Sequence, residues 1–82
     1  MAFSFTVAKP KDVAATMETL KQKIEKHKGT FEGDTTSGRA TSDGVALSYV
    51  VTADAIEITV EKKPAIYPAS AVEREIRKYF AQ

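Results

Sequence analysis

Apolar and polar residues alternate from Ala2 to Ala8, with Phe3, Phe5 and Val7 on one side and Ser4 and Thr6 on the other. A period of two is the pattern of a half-buried β-strand. Pro10 ends it, because proline has no N–H to give to a ladder. The period then changes. Val13, Met17, Leu20 and Ile24 recur at intervals of three and four; at 100° per residue this gives a stripe about 60° wide. Asp12 precedes the stripe as an N-cap, a short acceptor beside unpaired backbone donors. Gly29 follows it as a stop at a left-handed position, so the pattern predicts a helix over residues 12–28.

Residues 30–40 hold one large apolar side chain, Phe31, and two glycines, Gly33 and Gly38. They predict a single polar strand at a sheet edge, with room for a bulge. Ser42-Asp43-Gly44 is a turn signal. Val45, Leu47, Tyr49 and Val51 then alternate with Ala46, Ser48 and Thr52, and after a short turn at Ala53-Asp54, Ile56, Ile58 and Val60 alternate with Glu57, Thr59 and Glu61. These two runs predict a hairpin with one dry and one wet face. A connector over residues 62–69 carries Pro64 and Pro68. Ser70 and Glu73 have the spacing of a capping box, and Val72, Ile76, Tyr79 and Phe80 give the following helix one apolar side.

The order is β-α-β-β-β-α. Strands that follow one another closely pair antiparallel, and two helical stripes have only one dry sheet face to cover. The expected fold is therefore α+β: a two-layer sandwich, with an antiparallel sheet and two helices packed on one face, forming a single domain over residues 1–82.

Composition bounds the chemistry. A chain of 82 residues buries only about 60% of its unfolded surface, so the core is modest. No cysteine is present, which removes disulfides and thiolate ligands. Met1 to Lys11 lacks the apolar run of a secretory leader, and no stretch reaches the ~18 apolar residues of a membrane span; the expected location is cytoplasmic. Twelve basic and eleven acidic residues leave a net charge of +1, too even for long-range attraction to nucleic acid but compatible with a local basic patch.

His27 is the only histidine, and with no second histidine or cysteine to complete a metal site it reads as a boundary side chain near a helix end. Ser37, Ser42 and Ser48 lack a nucleophile elbow and stand in turn-like or alternating contexts. Asp34, Asp43 and Asp54 do not have the spacing of a calcium loop, and Gly29, Gly33, Gly38 and Gly44 match neither a Walker loop nor a dinucleotide fingerprint. No catalytic residue, cofactor or metal site is expected. Lys21, Lys23, Lys26 and Lys28 scatter around the first helix among Glu18 and Glu25, as on a solvated surface.

The connector is the most informative stretch. Ile66 and Tyr67 either plug the end of the sandwich or remain exposed and dock on a protein partner, a lipid surface or a second copy. The expected function is a non-catalytic interaction or accessory module, binding a protein partner or itself through the 62–69 connector or the outer sheet face. Its candidate residues are Ile66, Tyr67, Lys62, Lys63 and Arg77. The alternative is a weak nucleic-acid or polyanion binder using Lys62, Lys63, Arg74, Arg77 and Lys78. A third reading, a small-molecule carrier with a cavity near His27 and Tyr49, meets the expectation that two helices fill that space at this length.

In layout the chain resembles the polyhydroxyalkanoic acid system proteins, a family of short bacterial proteins associated with storage granules. The resemblance rests on Phe31-Glu32-Gly33-Asp34 after the first helix, the polar strand around Gly38, and the hairpin through Ile56-Glu57-Ile58-Thr59-Val60. A connector and a final helix reading Val72-Glu73-Arg74-Glu75-Ile76-Arg77-Lys78-Tyr79-Phe80 complete it. It covers residues 12–80 and implies an accessory role. The family has no established catalytic residues, so it transfers no site.

Overall fold

A computed structural model describes residues 3–80. Its elements are β1 (Phe3–Ala8), α1 (Val13–Lys26), β2 (Thr30–Gly33), β3 (Ser37–Ser42), β4 (Val45–Val51), β5 (Ala55–Lys62) and α2 (Ala69–Phe80). Ala2, where the alternation begins, lies outside the described residues. The strands form one sheet in the order β1-β5-β4-β3-β2, and every neighbouring pair is antiparallel. β1 and β2 are consecutive strands at opposite edges, so α1 must cross the sheet between them. This is the expected α+β sandwich.

Alternation decides the two faces, because successive side chains point to opposite sides of a strand. Val7, Ala40, Tyr49, Ile56, Ile58 and Val60 turn inward and meet Met17, Leu20 and Ile24 of α1 and Val72, Ile76 and Phe80 of α2. Ile56, Ile58 and Val60 are fully buried, and each contributes about 1.5–3 kcal/mol of apolar burial. The other face is small and polar. Ser4, Thr59, Ser48 and Arg39 share one row across four strands, and Thr6, Glu57, Val50 and Ser37 share the next.

The helix signals hold at one end and shift at the other. Asp12 is the N-cap of α1, and its carboxylate accepts from the Ala15 N–H at 3.0 Å. At the C-terminus the left-handed residue is Lys28, with φ 65°, not Gly29. The Lys28 N–H bonds the Glu25 carbonyl at 3.0 Å and the Gly29 N–H bonds Ile24 at 2.8 Å, a Schellman ending. Gly29 is instead required by close approach: a Cβ there would run into the Thr41 carbonyl oxygen and lie 2.7 Å from Ile24 Cγ2.

The region from 30 to 40 is two strands, not one. Asp34 makes the difference. Its Oδ1 accepts from the Thr36 and Ser37 N–H groups at 2.7 and 3.0 Å, while its own N–H donates to the Ser37 carbonyl at 2.9 Å. An aspartate can close a turn in this way without glycine or proline at its centre. The register irregularity lies not here but between β4 and β5, where Ala46 faces Lys62 and Leu47 faces Val60, leaving Glu61 of β5 unopposed. The capping box also fails to form. Helix α2 starts at Ala69, placing Ser70 inside the first turn, and the Pro68 carbonyl accepts from Ala71 and Val72 at 3.1 and 3.2 Å. Glu73 turns to Arg77 instead, at 2.8 Å. The Asp43-Gly44 turn is as expected, both residues taking positive φ (53° and 80°) in a two-residue hairpin loop.

Candidate docking surface at the connector

Lys62 belongs to the end of β5 and Ala69 to the first turn of α2, which leaves residues 63–68 as the connector. Its fold is defined by local bonds. The Tyr67 N–H donates to the Pro64 carbonyl at 3.1 Å, and Lys63 Nζ donates to the Tyr67 carbonyl at 2.7 Å. Gly44 of the β3–β4 turn lies under Pro64, where a Cβ would stand 3.2 Å from its Cγ. Pro64 and Pro68 fix φ at their own positions.

Ile66 and Tyr67 do not plug the sandwich. Ile66 is 82% exposed and Tyr67 47%, and the only other exposed large apolar side chain among the described residues is Val50. Tyr67 borders an open apolar cleft of about 650 Å³ between the helices and the sheet. Leu20 and Ile24 form one wall, Ile76 and Tyr79 the other, and Leu47 and Tyr49 the floor; the exposed Asp43, Arg74 and Glu75 stand at the rim. The helices therefore leave space that the chain length predicted they would fill. Phe80 sets where they meet: it packs edge-on to Tyr49 at 6.4 Å and closes that end of the core.

Tyr49 contributes no polar group to this cleft. Its hydroxyl donates to the Asp34 carbonyl at 2.6 Å, on the side away from the connector. Burial, with the Asp34 carboxylate as a second cause, pushes its phenol up to about 12. The Asp34 carboxyl is itself held below the ordinary aspartate range by the N–H groups of Ser37 and Thr36. His27 is exposed at the C-cap of α1 and does not line the cleft.

Three of the five basic candidates have local partners. Arg77 pairs with Glu73, lies 5.0 Å over the Phe5 ring and donates to the Thr6 carbonyl at 3.0 Å, which covers the open edge of β1. Lys78 bonds Glu75 at 3.4 Å, and Lys63 is committed to Tyr67. Among the described residues, the side chains of Lys62 and Arg74 have no hydrogen-bonded or ion-pair partner. Arg74, Arg77 and Lys78 share a shallow surface with Ser70 and Glu73, and neither Lys62 nor Lys63 lines it. Among the described residues no three His, Cys, Asp or Glu side chains come together as a metal site would need, and no helix is long and apolar enough to cross a membrane.

Of this surface, sequence reading identifies the connector, expects the helices to fill the space beside Tyr49 where the cleft opens, and does not mark Asp43 or Glu75. No local pattern marks those rim residues, because the cleft exists only where two helices diverge over strands that are distant in sequence. Comparisons of the chain with protein-family models, curated proteins and solved structures find no match.

Proposed function

We propose that this chain is a non-catalytic interaction module that docks on a protein partner through the connector and the cleft beside it. The observation that carries the reading is the exposure of Ile66 and Tyr67 next to an apolar recess. Isolated surface apolar residues are ordinary, but an aliphatic and an aromatic side chain adjoining a recess are the usual anchors of an interface. Because local hydrogen bonds already order the loop, less conformational entropy is lost when it binds. The outer sheet face offers weaker anchorage, since Val50 is its one exposed large apolar side chain.

Binding of polyanions through Lys62, Lys63, Arg74, Arg77 and Lys78 is the less favoured reading. Three of those cations have intramolecular partners that phosphate would have to displace. A cytoplasmic setting and kinship with the polyhydroxyalkanoic acid system proteins belong to the same proposal. The kinship is supported by the order of the elements and by the short sequence likenesses in β2, β5 and α2.

A photo-reactive amino acid at position 66, irradiated in cells, tests the docking surface. The expected result is a discrete cross-linked species that does not form when the same group replaces Lys11, an exposed residue outside the connector and cleft. Equal labelling at both positions, or none at position 66, rejects the connector as a docking site.

A further inference from the structure

The two edges of the sheet are built differently. β2, at one edge, is four residues long and carries Glu32 and Gly33, which make it a poor template for a further strand. β1, at the other, runs for six residues, Phe-Ser-Phe-Thr-Val-Ala, without a charge, a proline or a glycine. Uncharged runs of aromatic and β-branched residues are the composition of segments that stack on copies of themselves. β1 has a neighbour on one side only, so a row of its N–H and C=O groups has no ladder partner. Ser4, Thr6 and Ala8 are exposed, and Phe3 and Phe5 are half-buried.

Protection of this edge comes from outside the strand. Arg77 of α2 reaches the middle of β1, where its Nη1 donates to the Thr6 carbonyl at 3.0 Å. Its Nε is held by Glu73 at 2.8 Å, and its guanidinium lies 5.0 Å over the Phe5 ring. The Thr6 bond joins residues 71 apart in sequence, so it exists only in the folded chain. We propose that Arg77 is a lock on the β1 edge, which keeps β1 from pairing with the β1 of a second copy. An antiparallel pair of β1 strands centred on Thr6 sets Ser4 against Ala8 and Phe5 against Val7, with no charge in either strand to oppose it. Arg77 opposes it at the centre. For such a pair to form, two Arg77 side chains would have to leave Thr6 and Phe5 while converging on one point, like charge against like. Neither Arg77 nor β1 lines the cleft beside the connector, so the lock and the docking surface are tested apart.

Sedimentation velocity of the full chain and its variants provides the test. Arg77→Met keeps an apolar stem over Phe5, and Arg77→Gln keeps a polar one; both lose the cation and its fork of donors. Each variant should form species larger than 8.9 kDa at concentrations at least about tenfold below any at which the wild type does, the factor that one charge-assisted hydrogen bond is worth. In the assembled variants the Ser4 and Thr6 amides should gain protection from hydrogen exchange. Ser4→Lys, added to either variant, puts a charge on the exposed side of β1 opposite the uncharged Thr59. It should return the variant to 8.9 kDa without restoring any contact that Arg77 made.

Variants that assemble no more readily than the wild type overturn the proposal. Assembly of Arg77→Met alone overturns it as well, since added apolar surface would then be the cause. Assembly that persists with Ser4→Lys does the same, because it traces to unfolding or to another surface and not to the β1 edge.

Discussion

The two hairpins of the sheet are held by different forces. In β4–β5 the inward residues include Leu47, Tyr49, Ile56, Ile58 and Val60, and four of these five are fully buried. Neighbouring β2–β3 has only Phe31 and Ala40 as inward apolar residues, with Gly33 paired to Gly38. What holds that second hairpin is polar and borrowed. Asp34 closes its turn, the Thr30 and Thr41 hydroxyls meet at 2.6 Å, and the Tyr49 hydroxyl reaches over from β4 to the Asp34 carbonyl. The glycines are part of the same device. A Cβ on either would lie 2.6 Å from the Tyr49 hydroxyl, so both are needed for the phenol to pass. One hairpin is secured by area removed from water, the other by a few polar bonds, one of them from a buried side chain of the neighbouring strand.

The largest expected effect tests the first half of the comparison. Ile58 is fully buried in β5 between Phe5 of β1 and Tyr49 of β4. Ile58→Ala should cost about 3–4 kcal/mol, combining lost transfer energy with the cavity left behind. A domain of this size is expected to have about 4–12 kcal/mol in total. Urea unfolding should show a lower midpoint with an unchanged slope, and probes on both hairpins should move together. A loss below about 1 kcal/mol would mean that the site collapses around the deletion and that close packing does not hold this hairpin.

Gly38→Ala tests the second half. The added methyl would sit 2.6 Å from the Tyr49 ring, which has no free space to retreat into because it is 1% exposed. Overpacking of this kind costs about 1–3 kcal/mol. The distribution of the loss matters more than its size. Hydrogen exchange should show the β2 and β3 amides losing protection while Ile58 and Val60 keep theirs. Uniform loss across all five strands would show that the hairpins form one cooperative unit and that the comparison has no energetic meaning.

This difference also explains what could be read from the sequence. Burial imposes a period, so β1, α1, β4, β5 and the stripe of α2 all stand out in the pattern of apolar residues. A hairpin held by an Asx turn and a distant phenol imposes none, and residues 30–40 therefore read as one poor strand. Gly33 and Gly38 suggest weakness in isolation; beside Tyr49 they are a fit. The candidate surface divides along the same line. Ile66 and Tyr67 are conspicuous because apolar residues in a short proline-flanked loop call for an explanation. The cleft is silent in sequence because its walls come from α1, α2 and β4, and each wall residue also serves as an ordinary core position. Ser70 and Glu73 show the opposite error: a legitimate local motif is overridden where Pro68 starts the helix two residues early and Arg77 claims the glutamate.

The smallest effect isolates one bond of the weaker hairpin, from the Tyr49 hydroxyl to the Asp34 carbonyl. In the unfolded chain a tyrosine ionises near 10, whereas Tyr49 in the folded protein is pushed up to about 12, first by burial and then by the Asp34 carboxylate. Below pH 10 the phenol is neutral in both states and stability does not depend on it. Between about 10 and 12 the unfolded chain releases this proton and the folded chain keeps it, so stability must fall as pH rises through that window. Tyr49→Phe should abolish this component of the alkaline slope, measured as the difference between wild-type and variant denaturation midpoints. At neutral pH the same variant leaves the Asp34 carbonyl without its donor and should cost about 1 kcal/mol, with the β2–β3 amides exchanging faster. If the slope survives the substitution, the alkaline loss comes from elsewhere and the phenol is not desolvated in solution. If the slope disappears but exchange in β2–β3 is unchanged, the ring alone holds the hairpin, and the hydroxyl bond to Asp34 adds nothing to it.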